Sequence, residues 1–208
     1  DSAERALETG DFAEAILQLD QACGRLAAGS RFLAKAAGKR RLAAVQTAAV
    51  AGDLEMTQRH YSSAVRHFAR AIDTLPANAE PHRAALLTKQ ATAAFRAGER
   101  RDAARLFGQA VQAIIDINGE DHPSVAKALN RQATARLAVG EAETAEALYR
   151  RALAIHQRTL GKDHLEVATD LNNRAQLMRK KGDLLAAEPL LYRVLDIRRK
   201  ALGPDHPA

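Results

Sequence analysis

The chain is poor in several residue types that define common protein classes. It has one cysteine, Cys23, no tryptophan, and aromatic residues make up only 4% of its 208 residues. A single cysteine excludes an intrachain disulfide and a cysteine-based zinc site. No apolar run reaches the roughly 18 residues that a membrane-spanning helix needs, so the sequence predicts no span. The low aromatic content suits close contact between helices better than a sheet or a large aromatic-lined pocket.

Motifs of common enzymes are also missing. The sequence contains no phosphate-binding loop, dinucleotide fingerprint, nucleophile elbow or zinc-protease helix. Its carboxylates are numerous but scattered at helical spacing, which is typical of a solvated face or of ion pairs one turn apart. We therefore predict that the chain is not an enzyme and has no catalytic residue, metal site or cofactor.

The chain is rich in small apolar residues. Hydrophobic residues make up 47% of the sequence, and many of them are alanine. Alanine is the best helix former and lets helices approach closely, so the composition predicts an all-α fold with a continuous core. The formal net charge of +6 favours an acidic partner. Charge alone does not choose between peptide, nucleic acid and lipid head group.

A repeat of 42 residues runs through the second half of the chain. Two sets of glycines keep this period. The first set is Gly98, Gly140 and Gly182, and the second is Gly119, Gly161 and Gly203. Each glycine of the second set begins a turn that contains an Asp-His pair. Small and large apolar residues recur at fixed offsets from the first set. The small positions include Ala91, Ala133, Ala175, Ala103, Ala145 and Ala187, and the large ones Phe107, Tyr149 and Leu191. Such spacing is typical of helical hairpins that pack at a constant distance.

The same frame fits the front of the chain less well. Around residue 59 it finds Gly52, Ala64 and Phe68, with Arg59 in place of the turn glycine. We predict five hairpins with these bounds: 1–28 truncated, 29–80 irregular, 81–122, 123–164 and 165–208.

This pattern of alanines, bulky residues and closing Pro76 resembles the tetratricopeptide repeat. The last three copies, with their 42-residue period and Leu171-Asn172-Asn173, are similar to repeats of kinesin light chains and of many bacterial proteins. The resemblance implies a right-handed α-solenoid of about five antiparallel helix-turn-helix hairpins. It covers about residues 3–208 and is strongest over 85–208.

Helix ends can be predicted from the recurring turns. In Asp121-His122-Pro123 the proline suits the first helical position, and the polar residues before it can cap free amides. Gly119, Gly161 and Gly203 suit the left-handed conformation that ends a helix. Because the Asp-His pairs recur at equivalent turns of different repeats, we interpret them as caps and not as metal ligands, which would have to converge.

One face of the first helix in each hairpin carries the candidate binding residues. In helical-repeat arrays this helix lines the concave side. The residues selected by helical spacing include six bases, several amides and hydroxyls, and no carboxylate. The predicted groove residues are Thr88, Lys89, Thr92, Arg96, Lys127, Asn130, Arg131, Thr134, Asn172, Asn173, Gln176, Arg179 and Lys180.

These residues predict a protein–protein interaction module that holds an acidic, extended peptide or partner segment. Asparagine amides can clamp a peptide backbone, and lysine and arginine can bind carboxylates. Kinesin-light-chain-type repeats use matching positions for acidic peptides, although only Asn130, Asn172 and Asn173 match those asparagines closely. The alternative interpretation of the face is a merely solvated helix surface.

Other functions stay open at this stage. The chain could self-assemble into a scaffold from other copies of itself, or act as the regulatory sensor array of a larger bacterial effector whose other domains it binds. Nucleic-acid binding is disfavoured because the basic residues are not interleaved with stacking aromatics. The partner, the pathway and the compartment are left open.

Overall fold

The computed structural model describes residues 37–76 and 79–203, and all regular structure in these ranges is helical. Contacts between Cα atoms divide the chain into two compact units, Asp1–Ala44 and Val45–Ala208. Of the first unit only residues 37–44 are described, and they are helical. The predicted truncated hairpin at 1–28, Cys23 and the last Asp-His turn at 205–206 lie outside the described residues.

Eight helices occupy the described part of the chain, and together they bear out an all-α helical repeat. They are α1 (37–57), α2 (Tyr61–Thr74), α3 (Glu80–Ala97), α4 (Arg100–Asn118), α5 (Pro123–Val139), α6 (Ala142–Leu160), α7 (Leu165–Lys180) and α8 (Leu184–Leu202). Successive helices pack on each other, and we call α3–α4 hairpin three, α5–α6 hairpin four and α7–α8 hairpin five.

The small residues of the repeat lie where helices cross. Ala91, Ala133 and Ala175 are fully buried, and so are Ala103 and Ala145. With only a methyl group at these positions, two backbones can approach while the larger residues fill the space between hairpins. Burial of Phe107 and Tyr149 confirms the predicted large positions in hairpins three and four.

A further close contact of this kind involves Gly52, nearer the front of the chain. A Cβ atom placed on Gly52 would lie 2.6 Å from the Phe68 ring, much closer than real Cβ atoms approach. Phe68 is itself fully buried. Glycine at position 52 is therefore required by packing and not by backbone conformation.

The turn between the two helices of each hairpin uses a residue with positive φ. Gly98 and Gly140 adopt the left-handed conformation, and Gly182 has a φ of 80°. At the corresponding turn near the front, Arg59 has a φ of 62°, which confirms that it stands in the place of the turn glycine. A non-glycine residue pays a steric cost there that glycine does not.

The turn between successive hairpins differs from the prediction. Gly119, Gly161 and Gly203 have φ of 82°, 90° and 92°, but their ψ angles lie near 160°, so the expected left-handed helical conformation is wrong. This combination is an extended backbone of mirror-image hand that essentially only glycine adopts. It turns the chain away from the helix axis and leads it into the Asp-His segment.

Proline inside the last helix does not end it. Pro189 lies within α8, which runs from Leu184 to Leu202 as one helix. The helix continues although an internal proline removes one backbone hydrogen bond.

Candidate peptide-binding groove

The predicted groove residues all lie on the first helices of their hairpins, α3, α5 and α7. Residues one turn apart lie on the same face of a helix. Hydrogen bonds join some of these residues along the helix. The Thr92 hydroxyl donates to the carbonyl of Thr88 at 2.7 Å, and the Thr134 hydroxyl to that of Asn130 at 2.9 Å. We call this surface of α3, α5 and α7 the groove face.

Two adjoining pockets open on the N-terminal half of the groove face. The larger, of about 380 Å³, has Phe95 and Phe107 as its apolar part. The smaller, of about 190 Å³, has Met56 and Phe68. The polar residues of the two pockets are Thr92, Arg96, Arg131 and Thr134 in the larger and Asp53, Thr88, Lys89, Thr92 and Arg131 in the smaller. Arg131 therefore reaches both.

A third pocket, of about 520 Å³, lies at the C-terminal end of the groove face. Its polar residues are Asn172, Gln176, Arg179 and Lys180, and its apolar ones are Leu184 and Leu191. The structure thus brings most of the predicted residues to pockets. Lys127, Asn130 and Asn173 lie outside these three.

Carboxylates from neighbouring helices reach the groove face, which the sequence had indicated to be free of acids. Lys89 Nζ lies 2.6 Å from Asp53 of α1, and Lys127 Nζ lies 2.7 Å from Glu166 of α7. The hydrogen bond from Lys127 holds the pKa of Glu166 below its ordinary value. The groove positions of each helix include no acid in the sequence. In the folded chain, however, carboxylates from other hairpins lie beside the lysines at these positions.

Other cations of the groove face keep their charge unpaired. Arg131, Arg179 and Lys180 are exposed, and none of them forms an ion pair within residues 37–76 and 79–203. Arg96 lies over the Tyr61 ring at 6.0 Å, which orients the guanidinium without neutralising it. These four groups are the ones available to an anionic ligand.

Asn130 takes part in a polar network that connects neighbouring hairpins. Its Nδ2 donates to Oδ1 of Asp170 at 2.5 Å, and Oδ2 of Asp170 lies 2.8 Å from Nδ1 of His156. The other ring nitrogen of His156 lies 3.3 Å from the carbonyl oxygen of Pro123. The Asn130 amide nitrogen thus links hairpin four to hairpin five, and the role of this residue in binding a ligand stays a prediction.

The charge of this network is set by two opposing effects. His156 and Asp170 are both fully buried. Burial opposes the charged imidazolium, but the hydrogen bond and attraction from Asp170 outweigh it, and the pKa of His156 lies above its ordinary value. The hydrogen bond between the His156 ring and the Asp170 carboxylate thus links α6 to α7.

A comparison of repeats would have revealed this pair. The residues 42 positions before His156 and Asp170 are Ile114 and Ala128, both apolar. When two positions are apolar in one copy of the repeat and both polar in the next copy, the two polar side chains are expected to contact each other. Within a single copy neither residue stands out, since Asp170 is one of many carboxylates scattered at helical spacing.

The recurring Asp-His turns have a structural role. Nδ1 of His122 accepts a hydrogen bond from the Ser124 amide at 3.2 Å, and Nδ1 of His164 accepts one from the Glu166 amide at 3.1 Å. These contacts confirm the predicted helix caps. The acids before them bind arginines of the next hairpin: Arg158 donates to Asp121, and Arg193 to Asp163. In the described ranges no group of three potential ligands is placed to hold a metal ion.

An array of helical hairpins with an open, polar face defines the molecule as a helical-repeat protein. The tetratricopeptide repeat profile matches residues 82–155 and 124–200, which together exceed half of the chain. The chain belongs to the tetratricopeptide repeat family. Members of this family are generally protein-interaction modules and non-enzymatic scaffolds. None of the helices in the described parts of the chain is long and apolar enough to cross a membrane.

Solved structures agree with the fold. BtubC (BKLC) from P. vanneervenii is 24% identical with a TM-score of 0.67, over 86% of this chain and 72% of that one. The nearly identical TPR-like repeats of a putative kinesin light chain from Podosopora anserina are 23% identical with a TM-score of 0.67, over 96% and 93%. MamA is 17% identical with a TM-score of 0.56, over 97% and 96%. No curated protein matches the chain in sequence.

Proposed function

We propose that the groove face binds an extended, acidic segment of a partner protein. The observation that supports this most is the position of Arg131, which is exposed, lines both N-terminal pockets and has no ion-pair partner in the described residues. A carboxylate there would form a charge-assisted hydrogen bond. An unpaired guanidinium between two pockets suits a ligand that passes from one to the other.

The pockets divide the ligand into parts. Near Arg131, apolar side chains of the ligand would enter beside Phe95 and Phe107, while a carboxylate would meet Arg96 or Arg131. At the other end, Arg179 and Lys180 would hold a second acid, and Asn172 and Gln176 would bind the ligand backbone. Lys89 and Lys127 contribute less, because a ligand must compete there with Asp53 and Glu166.

Charge reversal at Arg131 tests the groove. The measurement is fluorescence polarisation with labelled acidic peptides taken from a peptide array. We expect Arg131→Glu to weaken binding by about tenfold or more, which corresponds to about 1.4 kcal/mol. The matched control is Arg101→Glu, which makes the same charge change at an exposed site on α4, and it should leave the affinity nearly unchanged.

Two results would count against the proposal. The first is equal affinity of the Arg131→Glu variant and the unmodified chain, with both folded by circular dichroism. The second is binding that persists undiminished from low to high salt, since exposed charge contacts are screened. A single-stranded oligonucleotide that binds in a salt-dependent manner, when acidic peptides do not bind, would favour nucleic acid as the ligand instead.

A further inference from the structure

The larger of the two N-terminal pockets on the groove face has two guanidinium groups in its lining. Arg96 belongs to α3 and Arg131 to α5, so each comes from a different hairpin. Within residues 37–76 and 79–203, neither arginine forms an ion pair and no carboxylate lines this pocket. Two like charges at one pocket repel each other, and an anion bound between them would neutralise both.

This pair of arginines does not belong to the repeat pattern. At the junction one repeat earlier the equivalent residues are Leu54 and Lys89, and Lys89 binds Asp53. One repeat later the equivalent residues are Ala138 and Asn173. Packing between hairpins therefore does not require two bases at these positions. Charges that break the pattern of a fold without a structural partner indicate a functional site.

The threonines of the pocket leave the two arginines as its hydrogen-bond donors. A hydroxyl group has a single proton to donate. Thr92 donates its proton to the Thr88 carbonyl, and Thr134 donates to that of Asn130. A ligand in this pocket must therefore offer acceptor oxygens, and enough of them for two guanidinium groups.

We propose that this pocket binds a phosphorylated serine or threonine of the partner segment, an inference that rests on the proposed function and names its ligand more closely. A phosphate ester has about two negative charges at neutral pH and several acceptor oxygens, so it can pair with Arg96 and Arg131 together. Arginine and phosphate form bidentate hydrogen bonds. A single carboxylate has half of this charge and would leave one guanidinium unpaired.

The adjoining smaller pocket fits a phosphate less well. Arg131 lines both pockets, but Asp53 lines only the smaller one, where Lys89 Nζ lies 2.6 Å from its carboxylate. A phosphate there would face this carboxylate, and like charges repel. The phosphate site is therefore formed by Arg131 together with Arg96, while Phe95 and Phe107 would contact apolar residues beside the phosphorylated one.

Peptide libraries that differ at one place test the proposal. The probes are fluorescein-labelled degenerate peptides with phosphoserine, one glutamate, two adjacent glutamates or serine fixed at the centre, and fluorescence polarisation measures their binding. We expect the phosphoserine library to bind about tenfold more tightly than the single-glutamate library, and the serine library to bind most weakly.

The outcomes separate this inference from the proposed function. If either glutamate library binds as tightly as the phosphoserine library, the pocket does not select phosphate, and the inference is overturned while the proposed function stands. If none of the acidic libraries binds, the proposed function fails as well. Inorganic phosphate that displaces the phosphoserine library at equal concentration would also overturn the inference, because the ligand would then be a free anion.

Substitutions taken from the following junction test which side chains hold the phosphate. Arg96→Ala and Arg131→Asn introduce the residues found 42 positions later, which the array already accommodates. Each should weaken phosphoserine binding about tenfold or more and single-glutamate binding about threefold, since one guanidinium remains for a carboxylate. The matched control Arg101→Gln, at an exposed site on α4, should change neither affinity. Equal losses for the two ligands would contradict a phosphate held by both arginines.

Discussion

The junction between hairpins three and four has apolar residues at two positions where the junction between hairpins four and five has a buried polar pair. At the first junction Ile114 of α4 packs beside a cluster that includes Val111, Ala128 and Leu129. At the second, His156 of α6 bonds to Asp170 of α7. The same backbone arrangement thus tolerates two chemical solutions, provided that both partners change together.

The two solutions make different demands on the surrounding structure. An apolar contact needs only the right volume, while a buried acid and base need partners for most of their polar atoms. Asn130 and the Pro123 carbonyl supply those partners here. The polar junction is therefore more sensitive to loss of a single member than the apolar one.

The largest expected effect comes from breaking the pair on one side. We expect Asp170→Ala to lower the free energy of unfolding by about 3–5 kcal/mol, because His156 would be left buried without its charged partner. Urea denaturation followed by circular dichroism measures the loss.

Converting the junction to the apolar solution provides the control. The double variant His156→Ile with Asp170→Ala carries the residues of the preceding junction, and it should recover most of the stability lost in the single variant. If the double variant is as unstable as Asp170→Ala, the two junctions are not alternative solutions to one packing problem.

A smaller effect is expected from pH. Because the pKa of His156 is raised in the folded state, the stabilisation from its charged form is complete below the ordinary histidine pKa of about 6.5. That stabilisation is lost as the pH rises through the folded-state pKa. Urea midpoints should therefore fall in the unmodified chain as the pH rises above about 6.5. The fall should be reduced in the double variant, and equal falls in both would contradict the assignment.

The smallest effect is expected from the ion pair between Lys127 and Glu166. Lys127 and Glu166 connect α5 to α7, while the residues 42 positions earlier are Ala85 and Ser124, which cannot form an ion pair. Since the pair is largely exposed, Glu166→Gln should cost less than about 1 kcal/mol, and the loss should shrink at high salt. A larger loss, insensitive to salt, would mean that Glu166 supports the buried network directly.

The features of the fold that the sequence predicted are those that recur at a fixed period. Turn glycines, buried alanines and capping histidines each appear in several copies, so Arg59 could be recognised as a substitute for glycine from its offset alone. The ψ angles at Gly119 and Gly161 could not be predicted, because glycine is compatible with both the left-handed and the mirror-extended backbone.

Prediction of the candidate site was limited by contacts between hairpins. Helical spacing places Lys89 and Lys127 on the groove face. Their carboxylate partners lie on other helices: Asp53 is 36 residues from Lys89 in the sequence, and Glu166 is 39 residues from Lys127. Whether such side chains meet depends on how one hairpin is offset against the next, and periodicity within a helix does not determine this offset. The groove residues therefore remain a prediction for which the peptide experiment is the test.

The polar junction also affects how the gene could change its number of repeats. Recombination between equivalent turns that removed residues 120–161 would keep the 42-residue spacing of the remaining turn glycines, caps and alanines, yet it would set Asp170 against Ile114. The reciprocal duplication would create an extra junction with His156 opposite Ala128. Both products would bury a polar group without its partner and would be less stable. Loss or gain of this repeat is therefore opposed by His156 and Asp170, although the repeat pattern itself would allow it.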